Sequence, residues 1–140
     1  MTKGQISGAT GVYYVAAELS RRNYTALVTT RNTRAIDILA MNNSTMRSVG
    51  VQVKTDSSSQ SFFLINKSDY VAEESKVRNI VYFFVELKEG KSPLFYIVPG
   101  LTVKTIAIYE KSSKSEWWSV KKSIIRDYVD KWDLVETMTA

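Results

Sequence analysis

A chain of 140 residues suffices for one domain that buries about two thirds of the surface its unfolded form exposes, with no need of a metal or disulfide staple. It contains neither cysteine nor histidine, which excludes disulfides, thiolate nucleophiles, Ser-His-Asp triads and transition-metal cages built from those residues, and leaves carboxylates, amides, lysine, hydroxyls or a hard oxygen-bound cation such as Mg²⁺ for any catalysis. The net charge of +5 is concentrated early: residues 1–60 carry seven basic and three acidic side chains, residues 61–140 twelve and eleven, a balance that suits a polyanion partner and equally an ordinary basic domain.

The opening "MTKGQISGATG" lacks the apolar core of a signal peptide, and no apolar run nears the ~20 residues that span a bilayer. Together with the absence of cysteine, this sets the expectation of a soluble cytoplasmic protein with no membrane association. The segment "TGVYYVAAELSRRNY" predicts a helix, capped at Thr10 or Ser7, with Val12, Val15, Ala16 and Leu19 at helical spacing and Asn23 as its stop. "TALVTTR", "AIDILAMN" and "SVGVQVKTD" then read as a three-stranded meander with a turn at Asn42, Asn43 and Ser44. "SFFLINK" offers a fourth strand. "NIVYFFVEL" and "PLFYIVPG" form a further pair around Gly90 and Pro93, apolar enough to be buried on both faces. Residues 101–108 and 123–135 have helical spacing, with Trp132 and Leu134 packing back on the sheet. No repeat or long linker divides the chain, so residues 1–140 are expected to form a single mixed α/β domain: N-terminal helix, mixed β-sheet with a meander, flanking C-terminal helices.

Three polar residues interrupt this apolar outline. Asp37 stands between Ile36 and Ile38, while Gln52 and Lys54 share one face of a strand whose other face carries Val51 and Val53. A buried carboxylate calls for a lysine, a metal or both. One reading is an Asp37–Lys54 ion pair at a sheet edge. The other is phosphodiester hydrolysis: Asp37, the Gln52 side-chain carbonyl and the Val53 backbone carbonyl would hold Mg²⁺, with Mn²⁺ as a substitute, and the Lys54 ammonium would orient or help deprotonate the attacking water and offset transition-state charge.

The ordered pattern of helix "GATGVYYVAAELSRRNY", strand "RNTRAIDILA" and strand "VGVQVKT" resembles the PD-(D/E)XK nuclease superfamily, with Asp37 matching its first acid and "QVK", residues 52–54, its acid-x-lysine element with glutamine in the acid position. The likeness is greatest to small PD-(D/E)XK endonucleases, including intron-encoded homing endonucleases. It extends through "YVDKWDLV" over most of the chain and is strongest over residues 8–56. The resemblance implies a restriction-endonuclease-like core and a metal-dependent DNA endonuclease acting as a homodimer or higher homo-oligomer. In one respect the chain departs from the pattern: the family's helix carries a glutamate after the glycine matching Gly11, and here that position is Val12. Glu18, six residues on, lies on another helix face and is expected to pair with Arg21 or Arg22. Asp37 is then the only carboxylate expected at the metal, which weakens Mg²⁺ affinity. The alternatives are therefore a catalytically impaired DNA-binding relative and a structural or interaction domain.

Arg31 and Arg34 flank the strand bearing Asp37 and are candidate phosphate contacts, or solvated loop charges. Arg21 and Arg22 suit DNA or simply the helix C-terminus. Lys114, Lys121 and Lys122 near Trp117 and Trp118 suggest a second phosphate-binding surface, against the commoner reading of those tryptophans as core or oligomer contacts. Asp56, about 7 Å beyond Lys54 on the same strand face, is a further acid within range of the site.

Overall fold

The computed structural model describes residues 1–30 and 36–140. Helix α1 runs Lys3–Arg21, starting eight residues closer to the N-terminus than a cap at Thr10 would place it. The true cap is Thr2: its hydroxyl accepts from the Gln5 N–H while the Gln5 side chain accepts from the Thr2 N–H, a reciprocal box that satisfies two otherwise orphaned donors. Gly11, Val15 and Leu19, four residues apart, form the buried stripe. The chain leaves the helix through Asn23, whose φ of 67° is the left-handed conformation expected of the stop.

The meander follows as read: β1 (Tyr24–Val28), β2 (Ile38–Asn42) and β3 (Ser48–Asp56) pair antiparallel in sequence. β3 then pairs in parallel with β5 (Ile80–Glu86), which pairs antiparallel with β6 (Leu94–Pro99), giving the five-stranded order β1-β2-β3-β5-β6. The crossover from β3 to β5 contains β4 (Phe62–Asn66) and the short α2 (Glu74–Val77). β4 is a strand, but it belongs to a second sheet in which it pairs antiparallel with β8 (Glu116–Lys121), itself paired with β7 (Ile108–Lys111). Helix α3 (Gly100–Ile106) bears out the helical spacing after Leu101.

Two elements depart from expectation. β7 (Ile108–Lys111) and β8 (Glu116–Lys121) are strands, and the segment 123–135 contains only a short 3₁₀ turn (Arg126–Tyr128) and the start of α4 (Trp132–Met138). β7 is short and wholly exposed, so it lacks the apolar alternation by which a strand is recognised.

Three layers result. On one face of the main sheet, α1 and α4 cover a core of Val15, Leu19, Ile38, Val51, Val53, Phe83 and Ile97, with Trp132 lying 5.3 Å from Phe83 and 6.0 Å from Phe95 between ring centroids. On the other face, β4, β8 and α3 cover Tyr82, Phe84, Tyr96 and Val98. β5 is thus apolar on both sides because both sides are covered. The layers are also fastened by charge: Lys122, just past β8, donates to Asp56 at 2.8 Å and to Glu86 at 2.5 Å, from the ends of β3 and β5.

Candidate functional site

β3 divides its side chains between layers. Val51 and Val53 enter the core under α1, whereas Gln52 and Lys54, in register with Tyr82 and Phe84, face the second sheet. Asp37 precedes β2 directly. Its N–H donates to the Val51 carbonyl at 2.8 Å, and its Oδ2 accepts the Val53 N–H at 2.7 Å. The β2–β3 pairing ends at Ile38 and Val51, so this carboxylate takes up a strand N–H just past the end of the ladder. The N–H and C=O of one strand residue point to the same side, which directs the Val53 carbonyl toward the Asp37 edge of β3.

Asp37 thus touches Val53 and lies within the field of Lys54, and Gln52 shares the Lys54 face of β3. Gln52 is 2% exposed, and among the described residues its Oε1 has no hydrogen-bond partner. An unsatisfied buried carbonyl costs about 1–3 kcal/mol, so the site favours a partner that can satisfy it. The side-chain oxygens of Asp37 and Gln52 and the Val53 carbonyl are all hard donors, matching a hard cation such as Mg²⁺. Burial pushes the Asp37 carboxyl above the usual carboxylate range, against the lowering effects of the Val53 N–H and the Lys54 ammonium, and the charge of Asp69 adds to the rise. Among the described residues no group of three or more Asp, Glu, His or Cys side chains is placed to hold a metal ion.

The Asp37–Lys54 ion pair does not form. Lys54 instead pairs with Asp69, in the turn after β4, with side chains 16% and 25% exposed. Sequence reasoning missed Asp69 because its relation to β3 is created only when the second sheet docks. The one local signal is the turn itself, where the Asp69 N–H donates to both oxygens of Asn66 at 3.1 Å.

Other candidates lie elsewhere. Asp56 turns into the inter-sheet ion cluster, also accepting from the Ser58 N–H and hydroxyl and the Gln60 N–H, and so is not available to the site. Lys122 is held by the same cluster, which removes it from any phosphate-binding surface; Lys114 and Lys121 remain exposed. Trp118 lies flat on Tyr70 with centroids 3.9 Å apart, a packing role. Glu18 pairs with both Arg21 and Arg22 as expected, and Arg22 also covers the Trp132 ring at 3.7 Å. Val12 packs against the core under α1, on the Val51 and Val53 side of the sheet. Arg31 and Arg34 lie outside the described residues.

No protein-family model matches this sequence, and no curated protein is significantly similar to it. Solved structures that share its fold include two nucleases. A Holliday junction resolvase, Hjc, from the archaeal hyperthermophile Archaeoglobus fulgidus superposes with a TM-score of 0.57 at 10% identity, over 91% of this chain and 93% of that one. The bacterial homing endonuclease I-Ssp6803I superposes with a TM-score of 0.58 at 14% identity, over 96% and 92%. The N-terminal helix, meander, mixed sheet and C-terminal helices make up the restriction-endonuclease-like fold that these structures share.

Proposed function

We propose that this protein is a metal-dependent DNA endonuclease that hydrolyses phosphodiester bonds at the Asp37, Gln52 and Lys54 site. The observation that carries the proposal is the buried Gln52 Oε1, without a hydrogen-bond partner among the described residues, on the strand whose Val53 N–H binds a carboxylate whose burial disfavours its charged form. A divalent cation satisfies both at once. Fold likeness to a junction resolvase and a homing endonuclease supports DNA as the substrate.

In this reading Asp37, Gln52 Oε1 and the Val53 carbonyl hold the cation, which when bound supplies a Lewis acid to a phosphate oxygen. The Val53 N–H keeps the Asp37 carboxylate fixed in orientation. Lys54 brings an ammonium to the same face, where it orients the attacking water and offsets the negative charge that grows as the water oxygen bonds to phosphorus and the ester oxygen departs. Cutting both strands of a duplex takes two such sites, so the working form is a homodimer or larger homo-oligomer.

A second reading has its own support. Among the described residues α1 brings no carboxylate to the site: Val12 is packed in the core and Glu18 is paired with Arg21 and Arg22. A DNA-binding relative with impaired cleavage fits that arrangement. Supercoiled and branched DNA incubated with the protein, with and without Mg²⁺ or Mn²⁺, separates the two. Metal-dependent nicking lost in Asp37→Ala and Lys54→Ala supports the nuclease; salt-sensitive DNA binding without nicking supports the second reading. Nicking that survives both substitutions refutes the site.

A further inference from the structure

The charges around the Gln52 carbonyl do not favour a cation unless Asp69 is counted. Asp37 contributes one negative charge and Lys54 one positive, so these two alone present a divalent ion with a neutral pair. Asp69 changes the balance, because it binds the Lys54 ammonium directly and its field reaches Asp37. We infer that Asp69 is a positioning residue of the site: it holds Lys54 on the Gln52 face and offsets its charge, so that Asp37, Gln52 and Val53 retain a net negative field toward a divalent cation. The inference rests on the metal-site reading above and extends it to a residue of the second sheet.

Asp69 is itself held from several directions. The Asp69 N–H is tied to Asn66 at the end of β4, and the next residue, Tyr70, is stacked on Trp118 of β8 with its ring plane within 3° of parallel. Tyr70 and Val71 both pack against the core between the sheets. The turn is thus a fixed support. Lys54 meets Asp69 from a strand whose neighbouring side chains on that face, Gln52 and Tyr82, are fully enclosed.

The test is Mn²⁺ binding by the intact protein without DNA, followed by calorimetry and by the loss of free Mn²⁺ electron-spin signal. Asp69→Asn keeps the shape and removes the charge, and it should weaken Mn²⁺ binding about tenfold, the effect of roughly 1.4 kcal/mol. Asp69→Glu should restore most of the affinity, and Glu73→Gln, at an exposed acid paired with Lys76, should change nothing. The double variant Lys54→Met/Asp69→Asn removes both charges and should return to near wild-type affinity, a recovery that a purely structural role for Asp69 does not produce. The ζ-ammonium resonance of Lys54 should be visible by NMR in the wild type and broadened in Asp69→Asn. Normal Mn²⁺ uptake by Asp69→Asn, with uptake lost in Asp37→Asn, overturns the role of Asp69 alone. No recovery in the double variant does the same. Uptake unchanged in Asp37→Asn, or absent from the wild type, overturns the metal site and this inference together.

Discussion

Replacing Lys122 with methionine should destabilise the protein by about 3–5 kcal/mol, the loss seen when one partner of a buried ion pair is removed and the other charge is stranded. The upper part of that range is expected because one ammonium serves two carboxylates. Lys122, Asp56 and Glu86 have side chains 12%, 6% and 13% exposed. After the substitution Asp56 keeps the Ser58 and Gln60 donors, but among the described residues Glu86 keeps only Lys88 at 3.9 Å. At ~3–5 °C per kcal/mol for a chain of this size, the melting midpoint should fall by roughly 10–25 °C. Urea unfolding at pH 7 measures the loss, and the same titration in acid tests its origin. Burial acts to raise the Asp56 pKa, but the Lys122 ammonium and the Ser58 N–H and hydroxyl outweigh it and hold the carboxyl below its ordinary range. Its stabilising contribution is therefore complete above the ordinary value and lost as pH falls through the lowered one. The variant lacks the main partner that lowers the Asp56 pKa, so the gap from wild type must narrow as pH falls through the lowered Asp56 value. A loss under 1 kcal/mol at pH 7, or one that stays constant into acid, would refute the reasoning.

Gly11→Ala tests the approach of α1 to β3: a Cβ there would sit 2.0 Å from Thr55 Oγ1. The helical preference for alanine returns about 1 kcal/mol, overpacking costs about 1–3, and chemical denaturation should show a net loss that the Thr55→Ala background reduces. Asp37→Asn, unfolded in chelator at pH 7, should be at least as stable as the wild type. Its raised pKa means that ionisation of Asp37 begins to cost stability once pH rises above the unfolded value, and a clear loss of stability in the variant would contradict that sign. Trp118→Ala removes the stack under Tyr70, and at about 0.5–1.5 kcal/mol for such a pair, amide exchange across residues 67–73 should quicken roughly threefold to tenfold. Unchanged exchange there would mean that the turn does not depend on the stack.

The parts of the fold that were legible in the sequence are those where one layer covers one face. Val15 and Leu19 repeat at helical spacing because α1 lies on one side of the sheet, and the unbroken "IVYFFVE" of β5 shows burial on both. The second sheet was harder to read, since β7 is exposed throughout and the tryptophans of β8 pack on β4, β7 and a turn. The start of α1 was missed for a different reason: Thr2 and Gln5 cap it through side chains, while the first turns bury nothing by which a period could be recognised. At the site, alternation along β3 correctly separated Gln52 and Lys54 from Val51 and Val53. The partner of Lys54 did not follow, because Asp69 reaches it only through the docking of another layer.

The Tyr70–Trp118 stack gives the protein an internal fluorophore at a useful place. Of three tryptophans, Trp132 is committed to Phe83 and Phe95 beneath the opposite face and the indole N–H of Trp117 is donated to Glu110, while Trp118 rests on the residue next to Asp69. Displacement of Asp69 that carries Tyr70 with it changes the environment of that indole directly. With Trp117 and Trp132 replaced by phenylalanine, the emission of Trp118 becomes an optical gauge of events at the Lys54 ammonium, readable in solution without labelling the chain.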